Sequence, residues 1–454
     1  VKNLLFLLFC PLFFLHAQQE NIIEDILSQL TNEEKIAMCH AQSKFTSPGV
    51  PRLGIPELSM SDGPHGIRPE INWDDWGYAN WTNDYVTAFP ALTCLAATFN
   101  PDLSMDYGIS IGEEARYRKK DILLGPGVNI YRTPLNGRNF EYMGEDPYLA
   151  SELVVPYVKG VQKNGVAACV KHYALNNQEQ WRGHINVEVS DRALHEIYLP
   201  AFKAAVKHGN AWAIMGSYNK FRGQHCCHND LLLNQILKKS WGFDGVVISD
   251  WGGVHNTDEA IYNGLDIEMG TPSDRSHSKR YPYNTNFLGN PFLKKIIEGE
   301  VEESILDDKV RRILRLMTRT SLNKDRPFGS INSKQHYETA YKIASEGVVL
   351  LKNTENFLPI DKSKQIKIAI IGENAEKSMS VGGGSSELKP DKEISPLFGI
   401  KKEFKNAVIK YAKGYSSNPD DRHDDLRKEA LAIVKDSDVV LFIGGLNKNN
   451  FQDS

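Results

Sequence analysis

The sequence predicts an α/β fold: a (β/α)8-type barrel or another α/β arrangement over residues 22–322, followed by a second, shorter α/β unit. Three observations carry this. Short apolar runs recur along the first 300 or so residues, each ending in polar residues. Amphipathic stretches separate them. The polar residues cluster just after the runs, at the carboxyl ends of the expected strands, where such barrels place their chemistry.

In chain order, Ile122-Leu123-Leu124 runs into Gly125-Pro126-Gly127, and Val166 to Val170 runs into Lys171-His172-Tyr173. Ala213-Ile214-Met215 runs into Gly216-Ser217-Tyr218-Asn219, and Val246-Val247-Ile248 into Ser249-Asp250-Trp251. Near-continuous apolar runs suit strands buried on both faces. Between them, Leu194, Ile197, Tyr198, Ala201, Phe202, Ala205 and Val206 fall on one helical stripe. Asp230 is expected to cap a helix from Leu231 to Lys239, which Gly242 follows. Residues 323–335 read as a linker, with Pro327, Gly329 and Ser330. The second unit is expected over 336–454. Ala344 to Leu351 is apolar. Ile366 to Ile371 and Val439 to Ile443 are strand candidates, ending in Gly372-Glu373-Asn374 and Gly444-Gly445. So few strands fall short of a full core, and this unit is expected to be truncated.

The first residues resemble a secretory signal peptide over 1–17. Lys2 precedes an apolar stretch from Leu4 to Leu15, with cleavage expected near Ala17. The stretch is too short to span a bilayer. A lipid anchor on Cys10 is disfavoured by bulky Phe9 before it. The expected location is periplasmic or secreted. With 53 basic and 57 acidic side chains, the net charge of -4 gives no case for a nucleic acid or anionic membrane partner. Six cysteines, five after signal removal, form no disulfide framework. Cys226 and Cys227, flanked by His225 and His228, lack CxxC spacing, so an ordinary loop is expected and no metal. Gly382-Gly383-Gly384-Ser385 lacks the lysine of a phosphate cradle and reads as a flexible loop.

Taken singly, each polar cluster is weak. A Lys-His pair is usually a satisfied pair, and an Asp after a strand is commonly a cap or turn residue. Here several strand ends each carry one: Asp62, Arg138, Lys171-His172, Tyr218 and Asp250-Trp251. Their convergence predicts a pocket. Carboxylate, guanidinium, ammonium and imidazole groups can each bond the hydroxyls of a pyranose. Trp251 would offer a platform for the C–H face of the ring.

Long motifs then point to a family. They are SDGPHGIR (Ser61–Arg68), TAFPALTCLAATFN (Thr87–Asn100) and LLGPGVNIYRTPLNGRNFEYMGEDPYL (Leu123–Leu149). KHYALNNQE (Lys171–Glu179), IMGSYN (Ile214–Asn219), GFDGVVISDW (Gly242–Trp251) and ASEGVVLLKN (Ala344–Asn353) follow. Over nearly all its mature length the chain resembles family 3 glycoside hydrolases. The resemblance implies a TIM-like barrel followed by an α/β sandwich domain, with the active site between them. It implies retaining hydrolysis from the non-reducing end and no metal or organic cofactor. Asp250 matches the nucleophile. Asp62, Arg138, Lys171, His172, Arg182, Met215 and Tyr218 match residues that hold the sugar. Lys171 and Arg138 would help keep Asp250 ionised.

Retaining hydrolysis needs two carboxyl groups about 5–5.5 Å apart. In glucosidase-type members the acid/base Glu lies on a loop after the strand matching Val439–Ile443, before a Gly-Asp-Arg signature. Residues 449–454 fall at that loop without the signature, so the acid/base is expected beyond residue 454. Asp453, the carboxylate nearest the end, is disfavoured for the role. The KHFPGHG-like motif of the N-acetylglucosaminidase layout is replaced here by KHYALNNQE. The expected function is a β-glucosidase-like, retaining exo-β-glycosidase acting on oligosaccharides or glycosides. The alternatives are a sugar-binding chain without turnover, a β-xylosidase of the same family, and a Schiff-base lyase using Lys171. The last is disfavoured, because such a lysine wants a desolvated pocket of depressed pKa. Sugar and linkage preference is assigned to loops such as Trp73–Asp84.

Overall fold

A computed structural model describes residues 19–271, 282–418 and 420–445. The signal-peptide reading over 1–17, Cys10, and Asp453 with the last loop lie outside the described residues.

The first unit is built on a curled, parallel-rich sheet of six strands in chain order. They are β1 (Thr46–Ser47), β2 (Leu58–Asp62), β3 (Ile122–Leu124), β4 (Ala167–Tyr173), β5 (Ala213–Gly216) and β6 (Val246–Ile248). β1 pairs antiparallel to β2, and every later pair is parallel. Bridges Ile248–Ile267 and His40–Glu268 continue the parallel pairing past β6. The predicted apolar runs are the strands because both faces are covered: β3, β5 and β6 are buried throughout, as are all seven residues of β4. β4 also runs further than its apolar core, so Lys171 and His172 lie inside the strand rather than after it.

Helices cover the sheet. α1 (Pro101–Tyr117) starts at Asn100, whose side chain accepts from the amides of Asp102 and Leu103. α2 (Pro147–Gln162) packs closely on it, because a Cβ at Gly108 would collide with the Tyr157 carbonyl. The stripe from Leu194 breaks into a π-turn (Leu194–Tyr198) and α3 (Pro200–Lys207). Proline, lacking an N–H, begins the new helix. The helix Leu231–Ser240 is present, but Asp230 does not cap it. Asn229 does, its Oδ1 accepting from Leu232 N at 3.0 Å, while the Asp230 carboxylate accepts from Asn234 Nδ2 at 2.8 Å. α4 (Glu303–Arg319) closes this part of the core with Leu306, Val310, Ile313 and Leu314.

Segment 323–332 has no helix or strand. α5 (Lys334–Glu346) buries His336, Thr339 and Ile343 against the first unit. Its His336 donates to Glu114 Oε1 (2.9 Å) and Glu113 Oε2 (3.0 Å) of α1. The apolar stretch expected to continue to Leu351 leaves the helix at Glu346, and Val348 to Leu351 are exposed. The second unit holds a three-stranded parallel sheet, with β7 (Lys367–Ile371) between β8 (Val408–Ala412) and β9 (Val439–Phe442). α6 (Pro396–Glu403) and α7 (His423–Val434) lie among these strands in sequence. The two units are stitched by Lys389–Pro390, which pair in parallel with Tyr85–Val86.

Candidate active site

The parallel strands bring the predicted residues to one edge of the sheet. Asp62 ends β2, Lys171 and His172 lie near the end of β4, and Met215 lies near the end of β5. Tyr218 and Asp250 each follow their strand by two residues. Arg138 and Arg182 come from the connections after β3 and β4.

Asp250 is the most informative group. Its Oδ1 accepts from Trp251 N at 2.8 Å. Its Oδ2 is buried, meets no described donor in good hydrogen-bond geometry, lies 3.9 Å from His172 Nε2, and has the Tyr218 phenol as a neighbour. Burial pushes the carboxyl above its ordinary range, while Arg182, Arg138 and Lys171 pull it back. The cations act in the expected direction, yet burial outweighs them. A carboxylate oxygen held without a donor is costly unless something else meets it.

Around Asp250 the protonation states are well separated. Burial, then the charges of Arg138, Lys171 and Arg182, hold the His172 imidazole well below its ordinary pKa, so it is neutral. Asn129 brackets His172, accepting from its N–H at 2.8 Å and donating to its carbonyl at 2.9 Å. Burial and then the Asp250 charge raise the Tyr218 phenol, which stays protonated and donates to Trp251 O at 3.1 Å. The Arg182 guanidinium lies over the Tyr218 ring, 4.8 Å from its centroid, and pairs with Glu179.

Two further charges flank the site. Asp62 accepts from Arg68 Nη1 at 3.0 Å. Arg138 forms a two-pronged pair with Glu141, Nε to Oε1 at 3.2 Å and Nη2 to Oε2 at 2.8 Å, both side chains almost wholly buried. The glycine-rich segment of the second unit closes over this pair. Ser386 Oγ donates to Glu141 Oε1 at 2.6 Å, and Arg138 Nη2 donates to Ser385 Oγ at 3.0 Å. Arg68 Nη1 donates to the Gly384 carbonyl at 2.8 Å, and His65 Nε2 to the Ser380 carbonyl at 2.8 Å.

Comparison with known proteins fits this edge. The glycosyl hydrolase family 3 N terminal domain matches residues 58–316, and the C-terminal domain of that family matches 348–454. The chain belongs to glycoside hydrolase family 3. It is 59% identical to beta-glucosidase BoGH3A of Bacteroides ovatus over 95% of this chain and 60% of that protein. It is 38% identical to thermostable beta-glucosidase B of Acetivibrio thermocellus, over 93% of this chain and 54% of that one. Among solved structures, beta-glucosidase 3B from Thermotoga neapolitana in complex with glucose superposes with a TM-score of 0.77. That match has 35% identity and covers 91% of this chain and 56% of the other. The chain thus spans about half the length of the curated relatives it matches.

In this family 3 chain one sequence expectation at the site needs correcting. The segment Gly382–Ser385 is not a loose loop. Gly382 N donates to Ser386 O at 3.0 Å, Ser386 N to Gly383 O at 2.8 Å, and the contacts above pin its outer face. Glycine serves close approach here: a Cβ on Gly382 would sit 2.9 Å from the Phe140 ring. Trp251 is about as exposed as Asp250, 8% against 7%. Its indole is buried, donates from Nε1 to Lys44 O at 2.8 Å, and packs on Phe45 at 5.3 Å between centroids. Arg68, Glu141 and Glu179, the partners of Asp62, Arg138 and Arg182, escaped the sequence reading. Glu141 and Glu179 each stand three residues from their arginine, a spacing that could have marked them.

Proposed function

We propose that this family 3 chain serves a β-glucosidase-like, retaining exo-β-glycosidase, with Asp250 as the nucleophile that attacks the anomeric carbon of a terminal β-D-glucosyl unit. The carrying observation is the buried Asp250 Oδ2, which meets no described donor in good hydrogen-bond geometry, faces neutral His172 and feels the charges of Arg182, Arg138 and Lys171. A sugar entering there would bring the missing donors. Asp62, Lys171, His172 and Arg182 would bond ring hydroxyls, with Arg138 held by Glu141. Met215 and Tyr218 would line the floor. The reading includes a TIM-like barrel followed by an α/β sandwich, supported by the parallel ladder and the bridges beyond β6. It also includes export to the periplasm or medium, supported by the composition of residues 1–17.

In this reading the covalent step forms the bond from Asp250 Oδ2 to the anomeric carbon as the bond to the leaving oxygen breaks. A second carboxyl group would protonate that oxygen. A dinitrophenyl β-glucoside separates the two roles, since its leaving group needs no proton. We expect a burst of dinitrophenol from this chain, with added azide giving a β-glycosyl azide. The Asp250→Asn variant should give no burst. A burst of equal size in that variant would remove Asp250 from the role.

A further inference from the structure

Beside Asp62 a short hairpin carries two tryptophans at its tip. Asn72 N donates to Gly77 O at 2.8 Å, Ala79 N to Glu70 O at 2.8 Å, and Ile71 bridges Tyr78. Inside the turn, Asp75 Oδ1 accepts from Gly77 N at 2.7 Å and from Asn72 Nδ2 at 2.9 Å. Tyr78 Oη ties the hairpin to Glu387 of the second unit at 2.7 Å. The tip is therefore ordered, yet Trp73 is 54% and Trp76 38% exposed. Trp73 is left largely in water and Trp76 partly so, and covering that aromatic surface would be favourable to a ligand that reaches it.

The hairpin is wired to the candidate site. Trp76 meets Phe45 edge-on at 6.0 Å, and Phe45 packs on Trp251 at 5.3 Å, so an aromatic series runs from beside Asp250 to the surface. Arg68, which bonds Asp62, lies 5.1 Å from the Trp76 centroid, and Lys44 Nζ lies 4.9 Å from it. Lys44 also spans both parts through its backbone. Its carbonyl accepts from Trp251 Nε1, and its N–H donates to Trp73 O at 3.0 Å. Among the described residues no aromatic or cationic side chain stacks on Trp73.

We propose that Trp73 and Trp76 form an outer subsite that stacks on the leaving-group sugar units of a β-linked gluco-oligosaccharide. This rests on the function proposed above and extends it from the terminal sugar to the rest of the chain. A pyranose presents an apolar C–H face to a flat indole and hydroxyls to its rim, where Asn72, Asp74 and Asp75 flank the tryptophans. Continuity with Asp62 and Trp251 selects a sugar bound across both places over an unrelated partner. The subsite adds affinity for a longer ligand and none for a lone terminal sugar.

Calorimetric titration with cellotriose, and separately with isofagomine as a probe of the inner site alone, tests this. The Trp73→Ala, Trp76→Ala double variant should bind cellotriose about tenfold more weakly, as expected on losing a stacking anchor, with isofagomine binding unchanged. Retained isofagomine binding also shows that the variant is folded. Trp73→Phe, Trp76→Phe should recover part of the loss. Equal cellotriose affinity in the wild type and the double alanine variant overturns the outer subsite while leaving the inner site intact. So does a wild-type protein that binds isofagomine but not cellotriose. Failure of the wild type to bind either sugar overturns both proposals.

Discussion

Glu141 offers the sharpest structural test of how the site is held. The Glu141→Ala substitution removes the counter-ion of Arg138 at a place where the two side chains are 1% and 4% exposed. It deletes both prongs of the pair and the acceptor for Ser386 Oγ. Removing one member of a buried pair strands the other charge, which typically costs about 3–5 kcal/mol. That is a large share of the roughly 5–15 kcal/mol that holds a domain folded. The glycine-rich segment loses its deepest anchor at the same time. We expect urea unfolding followed by tryptophan fluorescence to show a loss of about 3 kcal/mol or more. Isofagomine binding should weaken as Arg138 is released from its geometry. Glu141→Gln, which keeps an acceptor for Ser386, should lie between. Glu196→Ala, which breaks the surface pair with Arg192, should leave the midpoint unchanged. If Glu141→Ala unfolds within about 1 kcal/mol of wild type and binds isofagomine normally, the pair does not organise the site.

Two further predictions follow from the contacts between the units. Gly382→Ala would set a methyl group 2.4 Å from Ser386 Cβ and 2.9 Å from the Phe140 ring, displacing the segment that holds Arg138 and Glu141. Isofagomine binding should fall several-fold with little change in melting temperature, and unchanged binding would refute the contact. His336 is lowered by burial and raised by its bonds to Glu114 and Glu113, and the bonds prevail. Its folded pKa exceeds the ordinary 6.5, so its stabilisation is full below that pH and is lost as pH rises through the folded value. Wild type should therefore lose stability from pH 6 to pH 9 more steeply than His336→Gln, and parallel pH profiles would contradict the pairing.

How much of this was legible in the sequence depended on distance along the chain. The runs at Ile122, Val166, Ala213 and Val246 became strands because burial on both faces leaves a local, readable signature. The residues at their ends came together because parallel strands share one carboxyl edge. Contacts over long separations left no such trace. Ser386 meets Glu141 across 245 positions, so its segment looked flexible by composition although tertiary hydrogen bonds hold it. Lys44 reaches Trp251 across 207 positions, so nothing local revealed that the indole is pinned. The capping error was of another kind. Asn229 and Asp230 are both good cap residues, and tertiary placement of the turn chose between neighbours. Val348 to Leu351 look like a core element yet are exposed, because apolarity alone does not name the surface that would cover them.

The central claim is that Asp250 carries the covalent intermediate. A 2-deoxy-2-fluoro-β-glucosyl fluoride slows breakdown of that intermediate and brings a leaving group that needs no protonation. Incubating the chain with it and mapping the labelled peptide by mass spectrometry should place one fluoroglucosyl group on the peptide holding Ser249-Asp250-Trp251, and on Asp250 itself. A label on any other carboxylate, or an equal label on the Asp250→Asn variant, would contradict the account.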